Sequence, residues 1–176
     1  TIKPFIFAKA LEAGMGANEK IKDNPISVPL GKGKYWRPRN FNNSYKGSLP
    51  AYRMLLESRN VMAVRMTQKI GLGELSSLVK NLKINKEGTP YWGSVLSVQS
   101  TPLDLARAYL CLANGGRSKP VWLINKIEDK HGKIIYVRPK LKSFPHILSE
   151  SAVKTTVNIM KDNSVEGTGR RFNNHN

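Results

Sequence analysis

The sequence predicts a mixed α+β chain, mostly helical with one β-hairpin and organised as a single domain. Three observations lead there. Apolar residues recur at helical spacing in several segments, each bounded by capping residues. One segment, VWLINKIEDKHGKIIYVRP (121–139), instead alternates around a turn at Asp129–Gly132, as a hairpin does. The 176 residues, 40% of them hydrophobic, suffice for one domain with a real core, and neither an internal repeat nor a domain boundary is evident.

The first helix is read in TIKPFIFAKALEAG, where Ile2, Phe5, Ile6, Ala8, Lys9 and Leu11 keep helical spacing and Gly14 supplies the C-terminal cap. Pro4 has no N–H to donate, and its ring would clash with the carbonyl four residues back, so this helix cannot run far upstream. It is expected to begin at Thr1 or one residue before, as though the chain were cut at a helix N-terminus. Residues 17–47, rich in Pro, Gly, Asn and Lys, read as an extended loop with little regular structure. Ser48 is expected to cap a helix with Pro50 in its first turn, ending near Glu57.

A further helix runs from about Val61 to Ile70 and stops at Gly71, and ELSSLVKNL (74–82) gives a third short one. STPLDLARAYLCLANGG is the clearest: Thr101 is the N-cap, Pro102 takes the first position, Asp104 completes a capping box, and Asn114-Gly115-Gly116 end it. Ser149 caps a last helix to about Asn163, after which VEGTGRRFNNHN trails off polar.

Composition narrows the partners and the chemistry. Twenty-nine Lys and Arg against twelve Asp and Glu give a net charge of +17, which favours anionic partners such as nucleic acid, a lipid surface or an acidic polymer. The basic residues are scattered, and only KGKYWRPRNF (32–41) interleaves them with aromatics. Tyr35 and Trp36 there could stack bases, but a loop anchored by its aromatics is the simpler reading. His131, His146 and His175 lie far apart, with no Cys or acidic residue at ligand spacing, so no metal is expected. GKGKYW has the glycines of a phosphate loop but follows no predicted strand. No cofactor is expected. No apolar run reaches the length of a membrane span. The single cysteine, Cys111, is expected as a buried, inert thiol on the inner helix face with Leu105, Ala108 and Leu112.

One stretch resists a purely structural reading. LLESRNVMAVRM (55–66) sets Ser58, Arg59 and Asn60 in the middle of residues that otherwise pack as helix. Ser and Asn favour helix ends, where their side chains bond nearby backbone groups. The alternative is a catalytic pair: a hydroxyl that relays a proton and an amide that holds a substrate. The tripeptide by itself leaves both open.

IKPFIFAKALEAG, YWRPRNF, LLESRNVMAVRMTQKIGL, STPLDLARAYLCLANGG, INKIEDKHGKIIY and EGTGRR occur in an order that resembles the transpeptidase domain of class A penicillin-binding proteins, across nearly the whole chain. That resemblance implies an α/β (α+β) fold of the β-lactamase/transpeptidase type, with residues 1–176 forming mostly its helical subdomain plus the hairpin. It also implies a site built from Ser-x-x-Lys, Ser-x-Asn and Lys-Thr-Gly. Lys3 resembles the lysine of the first motif, whose serine would precede Thr1. Ser58-Arg59-Asn60 resembles the second motif whole, and the third would follow Asn176.

The 176 residues alone are therefore expected to be inactive. In the parent enzyme Lys3 would take the serine's proton, Ser58 would pass it to the departing amine, and Asn60 would bond the substrate's peptide amide. Arg59 is expected to face outward and to tolerate replacement. The implied activity is cross-linking of peptidoglycan stem peptides through a D-Ala acyl-enzyme, with β-lactams acylating the same serine. The implied location is the outer face of the bacterial inner membrane, with no nucleic-acid partner. Two rivals remain: a serine β-lactamase-like hydrolase, and a basic nucleic-acid-binding module.

Overall fold

A computed structural model describes residues 1–84, 91–141 and 143–170. Helix α1 (Lys3–Glu12) sits at the centre, with Lys3 through Ala8 and Ala10 all buried. A helix apolar on every side must be surrounded, and α1 packs on α3 (Asn60–Ile70) and α6 (Glu150–Glu166), with α2 (Arg53–Leu56) and α4 (Leu72–Asn81) completing the shell. Phe5, Ile6, Met62, Met66 and Leu75 are fully enclosed where these helices meet.

The first helix begins later than the periodicity suggests. Ile2 is its N-cap, Lys3 its first residue, and the Ile2 carbonyl accepts from the Phe5 and Ile6 N–H groups at 3.0 and 3.1 Å. Gly14, at φ +89, closes it as expected.

Residues 17–47 are not an extended loop. They hold β1 (Lys20–Asp23), β2 (Val28–Gly31) and β3 (Lys34–Trp36), and lead into β4 (Gly47–Pro50). β1 pairs antiparallel with β4, Lys20 opposite Pro50 and Asp23 opposite Gly47, while β2 and β3 form a hairpin. The alternation in β1 is real, with Ile21 and Asp23 inward, but an inward aspartate hides it from a hydropathy reading.

Ser48 does not cap a helix, because pairing with Lys22 holds it in β4. Pairing continues beyond the strand, with the Ala51 N–H on the Glu19 carbonyl and the Tyr52 N–H on the Ala17 carbonyl. Helix α2 therefore starts only at Arg53 and spans a single turn.

The remaining elements lie close to their expected places. Helix α3 starts one residue early and ends at Gly71; α4 starts at Leu72, and α6 runs on to Glu166. In α5 (Pro102–Ala113) the Thr101 hydroxyl accepts from the Asp104 N–H at 3.1 Å and donates to the Asp104 carboxylate at 2.9 Å. Cys111, Ala108 and Leu112 are buried and Leu105 is half-buried. After α5 a Cβ on Gly116 would fall 2.0 Å from the Leu148 carbonyl oxygen, so only glycine fits there. β5 (Lys126–Glu128) and β6 (Ile134–Val137) form the expected hairpin.

Candidate active site

Lys3 converges on one point with Ser58 and Asn60, which lie more than fifty residues further along the chain. Lys3 Nζ lies 2.7 Å from the Ser58 carbonyl oxygen, 2.9 Å from Ser58 Oγ and 2.7 Å from Asn60 Oδ1. The first turn of α1 brings the lysine in, and the residue is only 6% exposed. Burial strips water from the ammonium and lowers its pKa from 10.5 to about 8.

Of these three contacts, two have a fixed direction. The Ser58 carbonyl and Asn60 Oδ1 can only accept, so each takes an N–H from Lys3. A hydroxyl can accept or donate. An ammonium has three N–H groups and donates all three; a neutral amine keeps two for the carbonyls and turns its lone pair to the Ser58 hydroxyl. Proton exchange within this cluster is thus confined to the Lys3–Ser58 contact.

Ser58 reaches this position through its backbone. It follows the Glu57 C-cap of α2 with φ +52, in the left-handed region usually left to glycine. The Ser58 N–H donates to the Leu55 carbonyl at 3.3 Å and the Arg59 N–H to the Met54 carbonyl at 3.0 Å. Those two bonds are the pair that closes a Schellman-type helix end. The same residue therefore ends a helix and faces the lysine.

Asn60 opens α3 from the other side. Its Nδ2 donates to the Arg39 carbonyl at 2.8 Å, which leaves the amide one further N–H and one further lone pair for a ligand.

Arg59 does not face outward. It is extended between Ser58 and Asn60 (φ −71, ψ 116), so its side chain leaves on the opposite side from theirs. That side is protein, not water. The residue is 5% exposed; Nε donates to Asp23 Oδ2 at 2.9 Å, and Nη2 donates to Asp23 Oδ2 and, at 2.7 Å, to the Ser44 carbonyl. Asp23 is fully enclosed and also accepts from Asn40 Nδ2 at 2.8 Å and from the Lys46 N–H at 3.1 Å. Asn40 Oδ1 in turn accepts from the Val61 N–H at 3.2 Å. Arg59 is the N-cap of α3 and has no acceptor to offer, and Asn40 caps that first turn in its place.

A second support comes from α6. Asn163 Nδ2 donates to the Leu55 and Leu56 carbonyls, at 3.2 and 2.7 Å, and the Thr168 N–H adds a bond to Leu56 at 3.2 Å. These are end carbonyls of α2, which lack helical partners. Gly167 lets the chain approach, since a Cβ there would meet the Leu56 oxygen at 2.6 Å. Sequence reasoning named none of Asp23, Asn40 or Asn163 as part of the site. Asn40 ends the YWRPRN run and Asn163 precedes EGTG, but their bonds cross distances that spacing cannot show.

A cavity of about 200 Å³ opens beside the cluster, lined by Thr1, Lys3, Leu55, Ser58, Tyr109 and Asn163. A larger groove of about 620 Å³, along Arg37, Arg39 and Tyr45, does not include Lys3 or Ser58, and the smaller space is the one the chemistry faces. Among the described residues, no three His, Cys, Asp or Glu side chains gather as a metal site would require.

Comparison with known proteins identifies the family. Residues 1–175 match the model of the penicillin-binding protein transpeptidase domain. The chain belongs to that family. Within it the chain groups with the class A penicillin-binding proteins, and it has the β-lactamase/transpeptidase fold. Penicillin-binding protein 1A of Rickettsia conorii is 32% identical over 157 residues, covering 88% of this chain and 20% of that protein. The crystal structure of penicillin-binding protein 1A from Haemophilus influenzae superposes with a TM-score of 0.86 at 24% identity, over 97% of this chain and 31% of that one. The penicillin G acyl-enzyme complex of penicillin-binding protein A from M. tuberculosis gives 0.79 at 17% identity, covering 93% and 42%. The chain spans about a fifth of the length of the curated relatives it matches.

Proposed function

We propose that this transpeptidase domain forms peptidoglycan cross-links by serine acyl transfer, with Lys3 as base, Ser58 as proton relay and Asn60 as substrate holder. The observation that carries the reading is the convergence of a buried lysine with the Ser-x-Asn pair, 2.9 Å from one and 2.7 Å from the other. A lysine works as a base only if its pKa is lowered, and burial brings Lys3 to about 8. The nucleophile would be a serine immediately before Thr1, three residues ahead of Lys3 and just outside the N-terminus of α1.

In this scheme Lys3 accepts the serine proton as the serine oxygen bonds the penultimate D-Ala carbonyl of a stem peptide. As the amide C–N bond breaks, Ser58 passes a proton from Lys3 to the departing nitrogen, and terminal D-Ala leaves. An amine of a neighbouring strand then attacks the ester, and the serine oxygen leaves with its proton restored. Asn60 uses its spare lone pair to accept the substrate's peptide N–H. A β-lactam enters by the same first step with its ring C–N bond opening, as the acyl-enzyme complex of the M. tuberculosis relative illustrates for that protein.

The proposed setting is the outer face of the bacterial inner membrane. No helix among the described residues is long and apolar enough to cross a membrane.

The test is labelling by a fluorescent penicillin. The full-length polypeptide should be acylated and stay acylated. Lys3→Ala should nearly abolish labelling, and Ser58→Ala and Asn60→Ala should slow it by about 10²–10⁴-fold with the fold intact. Full-rate labelling of Ser58→Ala would refute its role. Rapid loss of the label by hydrolysis would favour the β-lactamase-like alternative. A nucleic-acid module accounts for the +17 charge but not for a family match from residue 1 to residue 175.

A further inference from the structure

We infer that Arg59 and Asp23 are positioning residues for acyl transfer: their buried pair fixes the turn that aims Ser58 and Asn60 at Lys3. The inference rests on the site reading above and extends it to residues that never touch substrate.

Ser58 and Asn60 lie on either side of Arg59, and their side chains leave the chain on the face opposite to its own. Rotation of the tripeptide about its axis would carry both away from Lys3 together, and the Arg59 side chain resists that rotation from the far side of the turn. Its guanidinium is gripped at two separate points, the Asp23 carboxylate and the Ser44 carbonyl. Two anchors fix an orientation where one would leave a pivot.

Asp23 is itself immobilised. It sits in β1 opposite Gly47, fully buried, and accepts from Asn40 and from the Lys46 backbone as well as from Arg59. Asn40 closes the loop by accepting from the Val61 N–H in the first turn of α3. The β1–β4 sheet is thereby tied to the middle of the turn, at Arg59, and to the first turn of α3 that follows it, at Val61. The tie also opposes the left-handed strain at Ser58, which a freed turn could release by rotating.

A buried ion pair is weak evidence for stability, since apolar residues of similar volume often serve as well. Orientation is different. An apolar pair fills the space but fixes no angle, and a displacement of 1 Å at a reacting group costs on the order of a hundredfold in rate.

The experiment uses the full-length polypeptide and reads the acylation rate constant at saturating fluorescent penicillin, at a temperature where each variant is fully folded by circular dichroism. Arg59→Lys keeps the charge pair but loses the fork that reaches Asp23 and Ser44 together. The double variant Asp23→Leu/Arg59→Met removes both charges and leaves no unpaired ion. Both should acylate about 10–100-fold more slowly than wild type. A purely structural pair would shift the melting temperature but leave the rate constant of the folded protein unchanged. A folded double variant acylating at the wild-type rate overturns the inference; should that variant not fold, Arg59→Lys decides by the same criterion. Ser58→Ala is the companion arm. Wild-type acylation there removes the site reading and this inference with it, whereas its loss beside wild-type rates in the pair variants overturns the positioning role alone.

Discussion

Ser58 gives the sharpest test, because its backbone and its hydroxyl make opposite demands. At φ +52 a residue with a Cβ is strained by about 1–2 kcal/mol, whereas glycine enters that region without penalty. Glycine also loses more freedom on folding, a cost of about 0.5–1 kcal/mol. The difference leaves Ser58→Gly about 0.5–1 kcal/mol more stable than Ser58→Ala. Both variants lose the same 2.9 Å contact between the hydroxyl and Lys3, so comparing them isolates the backbone. For a chain of this length that is about 1–4 °C in melting temperature, readable by thermal unfolding followed by circular dichroism. Both variants should be equally slow with penicillin in the full-length polypeptide. A glycine variant melting below the alanine variant would refute the left-handed strain at Ser58, because glycine's entropy cost would then stand alone.

The other predictions are more local. If Lys3 is the base, acylation should rise about tenfold per pH unit up to about pH 8 and then level, because at pH 7 roughly one lysine in eleven is neutral at a pKa of about 8, against roughly three in ten thousand at 10.5. An inflection near 10.5 would mean that burial does not activate it. The sign for stability follows: a lysine whose folded pKa lies below its unfolded value penalises the fold fully below about pH 8, and the penalty fades as pH rises towards 10.5. Thr101→Ala should cost about 1 kcal/mol by removing the hydroxyl that caps α5, with no change seen if the cap is dispensable in denaturant titration. Cys111, whose thiol is pushed up to about 11 by burial, should resist alkylation by iodoacetamide in the native state, and rapid modification would place the helix face wrongly.

Local chemistry was legible wherever a single residue decides a boundary. Thr101, Pro102, Gly14, Gly71 and Ser149 each act through their own backbone or hydroxyl, and each sits at the end the sequence assigns to it. The short strands were not legible. β1 carries only Ile21 and Asp23 inward, and β4 is held by pairing rather than by pattern, so Ser48 before Pro50 imitates a helix start. The site divided in the same way. Lys3, Ser58 and Asn60 could be named by resemblance because they fall in short motifs, while Asp23, Asn40 and Asn163 join them only through bonds spanning 17 to 108 residues. Arg59 was misread for a related reason: alternation does turn it away from Ser58 and Asn60, but the far side of the turn is covered by β1.

A helix end and a catalytic pair do not exclude each other at Ser58-Arg59-Asn60. A helix that stops on a left-handed residue swings the next peptide away from its axis, and the side chain at that position projects past the last turn. Glycine would end α2 at lower cost and present nothing. Serine at the same position accepts the strain and places a hydroxyl 2.9 Å from a buried amine, at the one contact in the cluster whose hydrogen bond can reverse. Asn60 then begins the next helix, so its side chain is set by α3 rather than by a loop. Two helix termini joined by one arginine, itself held by a buried aspartate, give more precise placement than a loop of the same length, because each terminus is fixed by a packed helix. On this view the Ser-Arg-Asn tripeptide is polar throughout because all three residues hold geometry: the outer two face Lys3, and the middle one faces the protein.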